Sequence, residues 1–70
     1  MKKIVDGITF RRRPPSSSCP NGAWFSPHYH ADKMGADWDI YETGVGWTDS
    51  ASTIGLARKI IVGLENARRN

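Results

Sequence analysis

The sequence is poor in cysteine and in aliphatic residues, and both shortages limit what the protein can be. Its single cysteine, Cys19, cannot form a disulfide within the chain, so the covalent staple of many small secreted domains is absent. A reducing compartment is expected, with the cytoplasm as the default. Leu, Ile, Val and Phe supply only 13 of the 70 residues, but three tryptophans and two tyrosines add the apolar surface that a folded domain needs.

Long hydrophobic runs are also missing. No stretch approaches the roughly 20 apolar residues of a membrane-spanning helix, and Met1-Lys2-Lys3 is followed by only Ile4 and Val5 before Asp6. This opening does not make a signal peptide. We therefore expect no membrane partner.

Recognisable catalytic motifs are also missing from the sequence. The chain has no glycine-rich phosphate loop and no nucleophile motif. At 70 residues it makes a single small α+β domain, 1–70, that buries about 60% of the surface of its unfolded chain. A domain this thin has little depth for a water-excluding pocket, so the sequence predicts a protein that is not an enzyme and needs no cofactor.

Charge is divided along the chain in three blocks. Residues 1–14 carry a net charge of +4, residues 32–49 carry −4, and residues 50–70 carry +3. A basic block predicts contact with phosphates or acidic surfaces, and the acidic block gives the domain a second charged segment of opposite sign.

The first third predicts strands and then a loop. The segments KKIV and ITFRRR flank Asp6-Gly7, a pair typical of a type I′ hairpin turn; a single strand bent at Gly7 is the alternative. The prolines and serines of RRRPPSSSCPNG then predict a mobile loop at 13–22.

The middle third predicts more sheet. GAWFSPHYHA is expected to be an edge or bulged strand because it contains Pro27. Alternation along one strand would put Trp24, Ser26, His28 and His30 on one face, and Phe25, Tyr29 and Ala31 on the other. WDIYE and VGW then predict a hairpin joined around Thr43-Gly44.

The last third predicts an amphipathic helix. Asp49, Ser50, Ser52 and Thr53 are candidate N-caps. The helix would bury Ile54, Ala57, Ile61 and Leu64, with Ile60 and Ala67 beside them. Its water-facing side would carry Arg58, Lys59, Glu65 and Arg68.

Together these elements predict an α+β fold. The expected architecture is a small antiparallel sheet of three to five short strands in meander order, packed against one C-terminal amphipathic helix. The predicted core comprises Ile8, Phe10, Trp38, Ile40, Val45, Trp47, Ile54, Ala57, Ile60, Ile61 and Leu64.

Two histidines on alternate positions raise the question of a metal site. On a strand, His28 and His30 would project to the same side, with Cys19, Asp32 or Asp37 as further ligands. No paired Cys-x-x-Cys or His-x-x-His spacing accompanies them. We therefore expect no metal, with His28 and His30 as weak candidates and Cys19 as a bystander thiol.

Two aspartates allow an acid–base interpretation. Asp37 and Asp39 would share the side of a strand opposite Trp38 and Ile40, and close carboxylates split their pKa values. A solvated outer face explains the pair more simply, so no catalytic residue is assigned.

Protein docking is the function that the sequence favours. Aromatic anchors beside an acidic patch suit a protein interface, and the contact candidates are Trp24, Phe25, Tyr29, Asp37, Asp39 and Glu42. Size and composition are similar to those of small accessory proteins of phages and mobile elements, which bind a host or cognate protein. A homodimer through the proline-marked edge is compatible with the same pattern.

Nucleic-acid binding is the alternative. Its candidates are the basic residues of the first strands and the helix, namely Arg11, Arg12, Arg13, Arg58, Lys59, Arg68 and Arg69. The order of elements from Asn21-Gly22 and Trp24 to Thr53 and Ala57 also resembles the arm-binding domain of tyrosine recombinases. That resemblance implies a three-stranded sheet packed with a helix, in which the sheet enters the DNA groove with basic and polar residues. The corresponding hairpin of this chain carries Asp37, Asp39 and Glu42 instead.

Overall fold

The computed structural model describes residues 2–17, 20–33 and 35–69, with only the backbone of Arg69. These residues form six strands and one helix: β1 Lys2–Val5, β2 Ile8–Arg13, β3 Ala23–Phe25, β4 Tyr29–Lys33, β5 Trp38–Glu42, β6 Gly46–Ala51 and α1 Ile54–Arg69. Each strand pairs antiparallel with the next, giving one sheet in meander order, and α1 packs against β4, β5 and β6. The α+β meander is confirmed.

The number of strands differs from the expected three to five because the segment around Pro27 does not form one strand. It folds back at residues 26–28, where the Ser26 amide donates to the Tyr29 carbonyl at 2.8 Å. The segment therefore supplies two antiparallel strands, β3 and β4, with Phe25 opposite His30. Its predicted pattern of faces is wrong for the same reason, since Trp24 and Tyr29 lie on the same side of the sheet.

The turn between β1 and β2 is the hairpin that its sequence predicts. Asp6 has a φ of 50° and Gly7 a φ of 81°, so both central residues adopt the left-handed conformation of a type I′ turn. Val5 consequently faces Ile8 directly across the hairpin.

The connection from β2 to β3 is the segment that the sequence predicts as a loop. Residues 14–17 and 20–22 form neither strand nor helix, and residues 18 and 19 lie outside the described residues. The mobility of this loop stays a prediction.

The core lies between α1 and one face of the sheet. Ile8, Phe10, Ile40, Ala57 and Ile61 are buried as predicted. Trp38, Ile54, Ile60 and Leu64 are partly buried and pack against that core. The core also contains residues that the sequence analysis did not assign to it: Tyr29, Ala31, Ala51 and Val62.

Two members of the predicted core are in fact exposed. Val45 is 76% exposed and Trp47 is 61% exposed. Val45 lies in the turn after β5, where its amide donates to the Glu42 carbonyl at 2.9 Å. Ile40 pairs with Asp49 but Tyr41 pairs with Trp47, so a β-bulge between these two pairs shifts the register by one residue. A shift by one residue moves a side chain to the other face of a sheet, which is why Trp47 leaves the core.

Helix α1 begins at a threonine cap. The Thr53 hydroxyl accepts a hydrogen bond from the Leu56 amide at 3.2 Å, as expected for an N-cap residue. Two predictions for the helix surface are wrong: Ala67 is exposed and Glu65 is buried. Among the described residues, no helix is long and apolar enough to cross a membrane.

Candidate nucleic-acid interface

The sheet has one face covered by α1 and one open face. Side chains alternate along each strand, so the strands that bury Phe10, Ala31 and Ile40 against the helix turn their intervening residues to the other side. On β4 and β5 these intervening residues include His30 and Tyr41. The open face is therefore built from residues next to the core positions.

One row of residues crosses the whole open face. Cross-strand partners share a face of the sheet, and the register pairs Lys2 with Arg11, Arg11 with Phe25, Phe25 with His30, His30 with Tyr41, and Tyr41 with Trp47. We call these six residues the transverse row. With neighbouring strands about 4.8 Å apart, the row extends about 24 Å, from two cations to four rings.

Three of the four rings in the transverse row stack on one another. The Phe25 and His30 ring centroids are 5.0 Å apart with an angle of 20° between the planes, and those of His30 and Tyr41 are 5.1 Å apart at 13°. These values lie in the range of favourable offset stacking. Phe25, His30 and Tyr41 are half-buried by their neighbours, whereas Trp47 at the end of the row is largely exposed.

Cationic side chains surround Phe25, the ring of the row that lies next to Arg11. The Arg13 guanidinium carbon lies 5.1 Å from the centroid of the Phe25 ring, a cation–π distance. Two open hollows of about 390 Å³ each adjoin Arg11 and Phe25, one extending to Pro14 and the other to Lys2 and Pro27. Basic side chains and a ring face therefore line the same concave surface.

Acidic residues occupy the neighbouring row at the other end of the face. Asp32 pairs with Asp39. Burial raises the pKa of Asp32, His30 opposes that increase, and Asp39 adds to it. The pKa of His30 is lowered by burial, raised in part by Asp32 and lowered again by Arg13. The net lowering of the His30 pKa favours its uncharged ring.

The covered side of the sheet holds a second aromatic–basic cluster. The guanidinium carbons of Arg12 and Arg58 lie 5.9 Å and 5.4 Å from the centroid of the Trp24 ring. Arg12 is opposite Trp24 in the sheet, while Arg58 reaches the ring from α1. Trp24 is therefore a platform for two cations and is only partly buried.

The two histidines are not partners. The His28 Nδ1 atom lies 2.7 Å from the Glu65 carboxylate, whereas His30 stacks on the open face. Among the described residues, no group of three His, Cys, Asp or Glu side chains is placed to hold a metal ion. Cys19, the thiol considered as a ligand, lies outside the described residues.

The six protein-docking candidates are distributed over separate surfaces. Phe25 and Asp39 belong to strands that turn them to the open face. Trp24 lies under the arginines described above, and Tyr29 is buried beside α1 with the Arg68 guanidinium carbon 5.9 Å from its ring. Glu42 pairs with Arg68 at 3.2 Å. Asp37 lies before β5 in an exposed bend and not on a strand with Asp39.

Five of the seven nucleic-acid candidates fall into three groups. Arg11 and Arg13 are on the open face, Arg12 and Arg58 adjoin Trp24, and Arg68 is engaged by Glu42. Lys59 is exposed on α1, and the side chain of Arg69 lies outside the described part of the chain.

Sequence reasoning missed two members of the transverse row as binding residues, Tyr41 and Trp47, and considered His30 only as a weak metal candidate. The alternation in WDIYE did contain a signal, because it places Tyr41 on the side opposite the core residue Ile40. For Trp47 the signal was hidden by the bulge. No family model, curated protein or solved structure matches this chain, so the case for its function is made by the geometry of its own residues.

Proposed function

We propose that the protein binds single-stranded nucleic acid across the open face of its sheet. The observation that carries the proposal is the transverse row, in which four rings continue directly into two cations along adjacent strands. Stacking platforms joined to basic side chains are the general means by which proteins hold unpaired strands.

The rings provide the stacking part of the interaction. A base stacked on a protein ring contributes about 1–3 kcal/mol, whatever its identity. Trp47 is the most accessible platform of the row, being 61% exposed. His30 lies between Phe25 and Tyr41 in the stack, so its two faces are already covered and Trp47 is the ring that receives a base.

The cations provide the phosphate part. Lys2, Arg11 and Arg13 lie together at the β1–β2 end of the open face. Asp32 and Asp39 repel phosphates at the other end. Electrostatics therefore favour one arrangement, in which phosphodiesters contact the β1–β2 end and bases extend towards Trp47.

The test is the affinity for a fluorescent 12-nucleotide single strand, measured by anisotropy at several salt concentrations, with a 12-base-pair duplex for comparison. Tighter binding of the single strand is expected, with weaker affinity as salt rises. Trp47→Ala and Arg11→Gln should each weaken it, about tenfold for the tryptophan. Val45→Ala is the matched control for Trp47, because Val45 is also exposed on the same hairpin.

Failure of the wild-type protein to bind single strands at low salt would refute the proposal. So would a Trp47→Ala variant that binds as tightly as Val45→Ala. If nucleic acid does not bind, a pull-down from the native host tests protein docking instead. A stoichiometric protein partner that the wild type retains and the Trp47→Ala variant loses would favour docking. Action as a phage-type accessory protein stays a prediction.

A further inference from the structure

The cluster of Arg12, Trp24 and Arg58 lies outside the transverse row, and the open-face proposal does not use it. Two cations from different elements converge on one ring, at 5.9 Å and 5.4 Å from its centroid. Cation–π contact restrains a long side chain that would otherwise sample many rotamers. Trp24 thus contacts one guanidinium group from β2 and one from α1 on the helix side of the sheet.

Within the described part of the chain, these guanidinium groups have no acidic partner. The contacts between basic and acidic side chains among the described residues are His28 with Glu65 and Arg68 with Glu42, and neither involves Arg12 or Arg58. Contact with a ring face leaves the N–H edges of a guanidinium free to donate, and its planar fork matches the oxygens of a phosphate. Both guanidinium groups therefore keep donors available for phosphate oxygens.

The cluster lies around a corner from the open face. β1 as described begins at Lys2, opposite Arg11, so Arg12 and Arg13 pair only with β3 among the described strands. Arg13 turns to the open face, over Phe25, and Arg12 turns to the helix side, over Trp24. Because consecutive side chains of a strand point to opposite faces of the sheet, a bound chain that passes around this end of β2 contacts Arg13 on one face and Arg12 on the other.

We propose that a single strand bound on the open face continues around the Arg12–Arg13 corner, and that Arg12 and Arg58 bind its phosphodiesters on the helix side. This inference rests on the proposed function and extends its footprint. Binding must then depend on length: a short strand occupies the open face alone, and a longer one gains the second set of contacts.

The experiment compares thymidine oligonucleotides of 5 and 15 nucleotides, with Arg12→Gln, Arg58→Gln and Lys59→Gln variants. Lys59 is the matched control because it adjoins Arg58 on the same helix, carries the same charge and is exposed. Arg12→Gln and Arg58→Gln should each weaken the 15-mer about five- to tenfold and leave the 5-mer within about twofold. For the 15-mer, each variant should also lower the slope of log affinity against log salt concentration by about 0.7 in magnitude.

A Trp24→Leu variant tests the role of the ring as a positioning residue. It keeps both arginines and their charge but removes the π face, so the 15-mer should lose affinity while the 5-mer does not. Circular dichroism melting of each variant shows whether the fold is retained, and Trp24→Phe, which keeps an aromatic face, should restore most of the 15-mer affinity.

The possible results separate the two proposals. The corner path is wrong, and the open-face function stands, if the wild type binds the 15-mer no more tightly than the larger number of binding positions on a longer strand explains. The same conclusion follows if Lys59→Gln weakens 15-mer binding as much as Arg58→Gln does. If neither oligonucleotide binds, both proposals fail.

Discussion

The Ser26 hydroxyl lies 2.6 Å from the Glu65 carboxylate, and both residues are buried although 39 positions separate them. The same carboxylate accepts from the His28 amide at 2.7 Å. Glu65 therefore fastens the β3–β4 turn to α1. Burial removes the Glu65 carboxylate from water, and this desolvation cost is offset by its hydrogen bonds with the Ser26 hydroxyl, the His28 amide and the His28 ring.

Loss of this carboxylate should destabilise the fold. Glu65→Ala leaves the His28 amide without its acceptor and leaves the buried Ser26 hydroxyl with only the Tyr29 carbonyl, at 3.1 Å. We expect the free energy of unfolding to fall by about 2–4 kcal/mol. Glu65→Gln, which keeps an acceptor oxygen, should lose less. Urea denaturation measures both, and Asn66→Ala is the control because Asn66 is the next residue of the helix and is exposed. Equal effects of Ala at 65 and 66 would contradict the turn-to-helix linkage.

Acid should weaken the same contact. Burial raises the pKa of Glu65, but the hydrogen bonds from Ser26 and His28 outweigh burial and hold it below its ordinary value of 4.5. The folded state therefore binds the proton less readily than the unfolded chain. The contribution is complete above pH 4.5 and is lost as pH falls through the lowered folded-state pKa. Thermal melts across this pH range should show that the melting temperature falls less steeply with decreasing pH in Glu65→Gln than in the wild type.

The two faces of the sheet should respond differently to truncation. Ile40 is fully buried and Trp47 is 61% exposed. Ile40→Ala should lower the free energy of unfolding by about 2–5 kcal/mol because it leaves a cavity. Trp47→Ala should change it by less than about 1 kcal/mol while it weakens nucleic-acid binding. Chemical denaturation beside anisotropy separates the two effects, and a large loss of stability in Trp47→Ala would mean that Trp47 has a structural role.

The helix cap offers an independent check on α1. Thr53→Ala removes the hydroxyl that accepts from the Leu56 amide, so stability should fall by about 1 kcal/mol. Thr53→Ser retains the hydroxyl and should lose little. The midpoint of urea unfolding is the measurement, and indistinguishable Ala and Ser variants would show that the hydroxyl does not cap the helix.

Gly22 should tolerate no side chain. Its φ is +76°, and a Cβ atom there would lie 2.7 Å from the Arg13 carbonyl oxygen and 3.6 Å from the Arg12 Nε atom. Gly22→Ala combines backbone strain with a steric clash and should cost more than about 1 kcal/mol. Gly7→Asn is the matched control, because Gly7 also has a positive φ but has open space around its Cβ position. Thermal melting of the two variants gives the comparison.

Local pattern was sufficient for several elements. The Asp6-Gly7 turn, the Thr53 cap and the apolar stripe through Ala57 and Ile61 depend on contacts within a few residues, so composition and spacing predict them. The antiparallel meander with one helix follows from the same signals. The basic character of Arg11 to Arg13 was likewise visible in the sequence.

The candidate site required the tertiary structure. Whether Trp47 faces the core or the open face depends on one bulged residue in the β5–β6 register, and a period-two pattern carries no record of such a shift. Glu65 is buried only because the β3–β4 turn supplies its donors. The sequence by itself determined which segments are strands or helix; only pairing between distant segments decided which side chains share a face, because that pairing sets the register.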